Sequence, residues 1–355
     1  MRTNSTALTA SRLLYLAGAV ALAFLACASA PHRSPPPAAQ LPVRFSVPRA
    51  PANPASPLLC PAAWTNAAGS FSARSTDSGV TVQYVWNDYF GEARSLQETW
   101  SHRERARAIE AFGLAPAQRA AFFASRIPAG DPEWRELAAA VRERRGPVHL
   151  PAYGILTEVE RARLFAWLED AEKRYLARQG FGRGVEGRLA PDYSRMVERQ
   201  SPLLEETARA MIREGANDGM TWNALTHKLM SLVHFIRYEI PPITEHGRYI
   251  QGLRPPLDLL CRGSGDCDSK AALFCAIARH FKDTRPAVVV IPGHAFNGLF
   301  GWHKRLPQDT VLRHRGVDML LLDLTGMSNY GAAGMIHEAD RQHLRQRMPK
   351  VYETW

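Results

Sequence analysis

Three residue types that together perform covalent acyl transfer occur in order in the carboxyl-terminal half of the chain. Cys267 follows the glycine-rich turn 263–265, His294 follows the Pro292-Gly293 turn, and Asp323 ends an apolar run. A thiolate attacks a carbonyl, an imidazole moves the protons, and a carboxylate orients the imidazole. The order and context of these residues predict a catalytic triad of Cys267, His294 and Asp323, with Asp309 and Asp318 as alternatives for the third member.

The nucleophile is predicted at the first turn of a helix. Asp266 is a suitable N-cap, and apolar residues recur at helical spacing after it at Ala271, Phe274 and Ala278. The positive end of a helix and its unpaired N–H groups favour a thiolate, whereas the carboxylates of Asp266 and Asp268 oppose it. Cys275, on the same apolar stripe, is interpreted as a small buried hydrophobe.

Apolar runs with turn residues between them predict the strands that carry the other two groups. These runs are 287–291, 294–300 and 317–323. Upstream, alternation over residues 60–89 predicts a small hairpin. Beyond Ser95, apolar residues at three- and four-residue steps predict helices. Residues 59–219 are therefore predicted to be a mainly helical accessory region with a short hairpin, and 220–355 the catalytic core.

The amino-terminal segment predicts export. Residues 1–30 hold an uncharged apolar stretch, 13–26, which is typical of a secretory signal, and three fates remain open for it. Cys27 is a lipidation candidate, 28–30 offers a cleavage site, and an uncleaved apolar stretch would anchor the chain. The proline-rich residues 31–58 predict an extended linker. The protein is therefore expected in the cell envelope, tethered to a membrane, or secreted.

Composition excludes several classes of protein. With 46% hydrophobic residues and 5 cysteines in 355 residues, the chain is neither disordered, collagenous nor disulfide-dense. The formal net charge is +10, but half of it comes from arginines within residues 1–58. The remaining charge is small and scattered, so we expect no nucleic-acid partner.

The motifs around these residues resemble those of the transglutaminase-like superfamily. The matching segments are Gly265-Asp266-Cys267-Asp268, Gly293-His294-Ala295-Phe296 and Leu322-Asp323-Leu324-Thr325. Segments 232–238 and 254–260 are also similar to those of its bacterial members. The resemblance covers about residues 220–330. It implies an α+β, papain-related core in which a central helix packs on an antiparallel sheet, preceded here by the helical amino-terminal region.

The resemblance implies a cysteine-dependent hydrolase or acyltransferase that acts on a protein or peptide through a thioester. Peptidoglycan peptides are one such substrate, and hydrolysis is favoured over protein cross-linking. A binding or scaffold module that has lost turnover is the alternative. His234 and Gln251 are oxyanion candidates, together with the backbone N–H of Cys267. No cofactor and no metal are expected. A disulfide between Cys60 and Cys261 is left open.

Overall fold

A computed structural model describes residues 64–66, 68–124, 158–183, 189–302, 309–325, 336–346 and 349–355. The predicted export segment, the linker, Cys27 and Cys60 lie outside these residues, so the predictions made for them stay predictions. The contacts between Cα atoms divide the chain into two units. Within the part described, one unit contains residues of Ala117–Trp167, and the other comprises Pro57–Pro116 and Leu168–Trp355. Among the described helices, none has the length and apolar character needed to cross a bilayer.

A four-stranded antiparallel sheet opens the second unit, where the sequence predicted a small hairpin. Its strands are β1 (Trp64–Asn66), β2 (Gly69–Ser75), β3 (Gly79–Asn87) and β4 (Ala93–Ser101). The expectation that the chain turns helical beyond Ser95 is wrong. Residues 95–101 pair with β3, and the helix begins only after Ser101, whose side chain forms a capping box with Glu104.

The helices and short strands that follow lead to the segment before Cys267. The bounds, in chain order, are α1 (His102–Glu110), α2 (Pro116–Ala124), α3 (Glu158–Arg178), β5 (Phe181–Arg183), β6 (Leu189–Pro191), α4 (Tyr193–Gln200), a 3₁₀ turn (Ser201–Leu204), α5 (Glu205–Asn217), α6 (Trp222–Phe235), β7 (Arg237–Tyr238), β8 (Thr244–Glu245), β9 (Arg248–Tyr249), α7 (Pro256–Arg262) and β10 (Ser264–Gly265). Helix α6 begins at Trp222 and ends at Phe235, because the chain turns there to pair β7 with β10.

A central helix and a sheet complete the fold. Helix α8 (Cys267–Ala278) is followed by β11 (Arg285–Ile291), β12 (His294–Phe300), β13 (Val311–His314), β14 (Val317–Leu322), α9 (Glu338–Gln346) and β15 (Lys350–Glu353). The five strands form an antiparallel sheet in the order β13-β14-β12-β11-β15. The fold is therefore α+β, as predicted, and the three predicted strands are confirmed.

Helix α8 is buried on nearly every side, which is typical of a helix at the centre of a domain. It packs on β12, where the Nδ2 atom of Asn297 donates hydrogen bonds to the Ala271 carbonyl and to Sγ of Cys275, at 2.9 and 3.2 Å. The other face of the sheet carries an apolar cluster that includes Val289, Phe296 and Met319 and packs against Leu344 of α9. The sheet thus lies between α8 and α9.

The amino-terminal sheet packs directly on the carboxyl-terminal half. The buried Tyr84 hydroxyl donates to the Leu260 carbonyl at 2.6 Å, and Trp86 Nε1 donates to Ser231 Oγ at 2.9 Å. In addition, Arg105 of α1 holds Asp258 of α7 through two bonds of 2.9 and 2.8 Å. These contacts cross the boundary predicted at residues 219 and 220, so the amino-terminal sheet and α1 share a core with the residues beyond that boundary.

Candidate active site

Cys267 lies at the first position of α8, as predicted. The Asp266 side chain caps the helix by accepting from the Ser269 N–H at 3.0 Å and from its hydroxyl at 2.6 Å. Burial raises the pKa of Asp266, although these bonds oppose the shift. The exposed fraction of Cys267 is 7%, whereas Cys261 and Cys275 are fully buried. Among the cysteines that the structure describes, Cys267 is therefore the most accessible.

The turn before Cys267 is held from two sides. Gly263 adopts a φ of +68°, and a Cβ atom there would lie 2.6 Å from the Phe71 ring of β2, so only glycine fits. Arg254, which is 3% exposed, donates from Nη1 to the Ser264 carbonyl at 3.0 Å and also pairs with Glu239 and Glu245. These contacts fix the backbone that presents the thiol.

His294 and Asp323 come together at the ends of neighbouring strands. His294 opens β12 after Gly293, whose φ is +85°, and Asp323 directly follows β14. Because β12 and β14 are antiparallel, the start of one lies beside the end of the other. The Nε2 atom of His294 lies 3.3 Å from Oδ2 of Asp323. The structure thus brings together two of the residues proposed from sequence.

The third predicted residue reaches the same ring. His294 interacts with the Cys267 thiol as well as with Asp323. Burial lowers the pKa of His294, but its interactions with Asp323 and Cys267 outweigh it and raise the pKa to about 10. The imidazole is therefore held as a cation at neutral pH, with the thiol, the carboxylate and the Thr325 hydroxyl, whose Oγ1 atom lies 3.3 Å from Nε2, as its polar neighbours.

Asp323 is kept ionised by its surroundings. Its Oδ1 atom accepts from the Thr325 N–H at 2.9 Å and from the Thr325 hydroxyl at 2.7 Å. Burial alone would raise the pKa of Asp323, yet the bonds to His294 and Thr325 lower it below the ordinary value. A carboxylate held in this way fixes the orientation of the imidazole.

A second ionisable carboxyl flanks the site. Asp268 is partly buried and accepts a hydrogen bond from Tyr193. Burial and the nearby Asp266 charge raise the pKa of Asp268 to about 6, against the opposing effect of Tyr193 and His294. The opposing effect of these carboxylates on the thiolate, expected from the sequence, is therefore weakened when Asp268 is protonated.

A buried lysine lies one helical turn beyond Cys267. Lys270 is 2% exposed, and its Nζ atom donates to the His234 carbonyl at 3.2 Å. Burial lowers the pKa of Lys270 to about 7, although the charges of Asp323, Cys267 and Asp266 oppose this. Sequence reasoning missed this residue. Its position three residues after Cys267 on the same helix was the available signal, but the neighbouring sequence does not predict that a lysine is buried.

Tyr89 approaches the site from the amino-terminal sheet. The β3–β4 turn is shaped by Asp88, whose Oδ1 atom accepts from the N–H groups of Phe90 and Glu92. The Tyr89 ring lies 6.0 Å from that of His234. Its hydroxyl is buried, and no described residue hydrogen-bonds to it. Burial and the Asp323 charge raise the pKa of Tyr89. Nothing in the sequence around Tyr89 indicated this long-range placement.

The other proposed site residues occupy different positions. Gln251 is exposed, and its Nε2 atom donates to the Leu189 carbonyl at 3.4 Å. His234 is near the site through its carbonyl bond to Lys270. Asp318 lines a cavity of about 340 Å³ beyond the far end of β12, and Asp309 lines another of about 310 Å³ next to α9. Asp323 is thus the predicted carboxylate that pairs with His294.

Two groups of possible metal ligands occur among the described residues. One consists of Glu245, His246 and Asp258, and the other of His294, Asp323 and Asp340. In the first, Arg262 pairs with both carboxylates at 2.9 and 3.3 Å. In the second, a hydrogen-bonded pair already uses the His294 ring. These pairings favour hydrogen-bonded and ionic roles over metal binding.

Comparisons with known proteins add no family. A scan against protein-family models, a search of curated proteins and a search of solved structures each returned no match.

Proposed function

We propose that the protein is a cysteine-dependent amide or peptide hydrolase, or an acyltransferase, with a transglutaminase-like core. The observation that carries this proposal is the position of His294, whose ring interacts with the Cys267 thiol and lies 3.3 Å from Asp323 Oδ2. A thiol at a helix N-terminus, an imidazolium beside it and a carboxylate behind the imidazolium form a nucleophile, an acid and an orienting group.

The reaction would proceed through a thioester. The Cys267 thiolate attacks the amide carbonyl, and the backbone N–H of Cys267, at the helix N-terminus, would stabilise the oxyanion. The C–N bond breaks as His294 gives its proton to the leaving amine, and a C–S bond remains. Water, deprotonated by the now neutral His294, attacks the thioester, and the C–S bond breaks to release the acid and restore the Cys267 thiolate beside the His294 imidazolium. An amine in place of water would complete a transfer.

Asp323 supports both halves of this cycle. It keeps the imidazole ring oriented, and its charge stabilises the imidazolium before the leaving amine takes the proton. The residues of this cycle supply the acid, the base and the nucleophile. The proposed reaction therefore calls for no cofactor.

The test is the alkylation rate of Cys267 by iodoacetamide against pH, measured on the full chain by peptide mass spectrometry. An ion-paired thiolate reacts well below pH ~8.5, where free thiols lose reactivity. We expect that behaviour in the wild type and its loss in His294→Ala. Cys275 is an internal control, because burial raises its pKa to about 12. A Cys267 rate that follows a free thiol and ignores His294 would favour a binding module without turnover.

The reaction products show whether water or an amine is the acceptor of the acyl group. The full chain would be incubated with a denatured protein and with purified peptidoglycan sacculi, each with and without a biotinylated primary amine. New amino termini indicate hydrolysis, and biotin incorporation indicates transfer. Cys267→Ala is the blank in both arms. We expect hydrolysis, in a membrane-tethered or secreted protein of the cell envelope. Fractionation of cells that express the wild type and Cys27→Ser tests the lipid tether.

A further inference from the structure

An exposed apolar strip lies beside the nucleophile. It consists of Tyr238, Ile240 and Ile243, whose exposed fractions are 46, 73 and 65%. Large aliphatic side chains this accessible are costly in water unless something covers them for part of the time. The strip begins at Tyr238, the last residue of β7, and β7 pairs with the strand that leads into Cys267.

Tyr238 and Ile240 lie on the same side of the chain, because side chains alternate along an extended segment. Arg237 and Glu239 lie on one side, where their side chains pair at 3.2 Å, and Glu239 is bound there by Arg254. Tyr238 and Ile240 therefore share the opposite side. Pro241 restricts Ile240 to extended conformations, so the alternation continues to that residue. Burial and the charges of Cys267, Asp266 and Asp268 raise the pKa of Tyr238.

The backbone of β7 offers one unused pair of hydrogen-bonding groups. The Arg237 N–H donates to the Gly263 carbonyl at 3.2 Å, and the Glu239 N–H donates to the Gly265 carbonyl at 3.1 Å. The N–H and C=O of the intervening Tyr238 must then point away from β10. No hydrogen bond from a described residue reaches either group. Tyr238 lies opposite Gly265 in the pairing, two residues before Cys267.

We propose that the substrate is an extended peptide that pairs with the outward N–H and C=O of Tyr238 and packs an apolar side chain on Tyr238 and Ile240. Addition of a strand to a free edge is an established way to bind a peptide, with the backbone giving affinity and alternate side chains giving specificity. A lipid chain would cover the apolar strip but would leave the two backbone groups unpaired. A sugar polymer would not match the apolar side chains.

This inference rests on the proposed function only for the assignment of Cys267 as nucleophile. Bound along Tyr238, the peptide passes beside Cys267, so the apolar side chain would lie within a residue or two of the attacked carbonyl. Binding itself needs no reaction. The inference can thus be measured on a variant that cannot react.

The experiment uses the full chain with Cys267→Ala and the fluorescence anisotropy of labelled peptides. One hexapeptide alternates leucine and alanine, a second has glutamate in place of leucine, and a third is the leucine peptide with alternate backbone nitrogens methylated. We expect the leucine peptide to bind about 10-fold more tightly than either of the others. Equal affinity of the leucine and glutamate peptides would overturn the proposed packing of an apolar side chain on Tyr238 and Ile240. Equal affinity of the methylated and unmethylated leucine peptides would overturn the proposed strand pairing.

Two surface variants locate the binding. Ile240→Glu is expected to weaken the binding of the leucine peptide about 10-fold, because it places a charge on the strip. Val317→Glu is the matched control, since Val317 is 47% exposed at the end of β14 remote from Asp323. Equal effects of the two variants would overturn the location. If the alkylation test fails but the peptide still binds, the proposed enzymatic function is wrong and the proposed peptide-binding site stands.

Discussion

His294 Nε2 lies 3.3 Å from Asp323 Oδ2, and Oδ1 of the same carboxylate accepts two hydrogen bonds from Thr325. The carboxylate is therefore held by the residue two positions after it and cannot turn away from the imidazole without losing both bonds. This relationship makes Asp323 the residue that sets both the orientation and the protonation of His294.

Asp323→Asn should lower the pKa of His294 from about 10, because the variant removes the neighbouring negative charge while keeping the side-chain shape. The ion pair with Cys267 then weakens at neutral pH, and we expect alkylation of Cys267 to slow by about 10²-fold or more, the scale of a lost acid–base partner. An NMR titration of the His294 ring measures the expected change in pKa, and the alkylation assay measures the expected change in the Cys267 rate. An unchanged histidine pKa would contradict the assignment.

The titrations of His294 and Lys270 should change the free energy of unfolding in opposite directions as the pH rises. The pKa of His294 is raised from 6.5 to about 10, so its contribution is complete below pH 6.5 and is lost as the pH rises through 10. The pKa of Lys270 is lowered from 10.5 to about 7, so the unfolded chain binds that proton more tightly and stability rises with pH over this window.

Single variants separate the two slopes. Between about pH 7.5 and 9.5, the urea midpoint of His294→Gln should rise with pH, since only the Lys270 contribution is left. The midpoint of Lys270→Met should fall over the same range, and the wild type should lie between them. Parallel profiles for all three proteins would show that these two groups do not titrate as assigned.

The buried pair of Arg105 and Asp258 should be critical for stability. The two side chains are 0 and 1% exposed, and removal of Arg105 leaves the buried Asp258 carboxylate with the longer 3.3 Å pair to Arg262. We expect Arg105→Met to cost about 3–5 kcal/mol of unfolding free energy. The double variant with Asp258→Leu should recover part of this loss. The exposed pair of Arg209 and Glu205 is the control, and Arg209→Met should leave the urea midpoint unchanged.

The elements that carry the site were predictable because their signals are local. The N-cap at Asp266, the turn at Gly293 and the strand that stops before Asp323 each depend on neighbours within a few residues. The joint presence of a thiol, an imidazole and a carboxylate in ordered context then predicted a triad, and the structure brings those side chains together. The catalytic role itself stays a prediction.

The contributions of the amino-terminal half were not predictable in this way. Residues 95–101 have helix-like spacing, yet pairing with β3 prevails over that local preference. The approach of Phe71 to Gly263 and of Tyr89 to His234 joins residues more than a hundred positions apart. Such contacts depend on which sheet face packs on which helix, and a single sequence does not record that choice.

Gly263→Ala should destabilise the protein and disturb the nucleophile together. The substitution combines a φ of +68° with a Cβ atom 2.6 Å from the Phe71 ring. Gly316→Ala is the matched control, because Gly316 has a φ of +82° and no heavy atom within 4 Å of the added Cβ. Backbone strain alone should cost Gly316→Ala about 1 kcal/mol, and the contact with Phe71 should add about 1–3 kcal/mol at Gly263.

Urea denaturation measures these costs, and the alkylation rate measures the effect on the thiol. Gly263 lies four residues before Cys267 in the turn that Arg254 holds, so a shift of this turn moves the helix N-terminus relative to His294. Only Gly263→Ala should therefore slow alkylation. If both alanine variants lose the same stability and keep the wild-type rate, the amino-terminal sheet does not position the nucleophile.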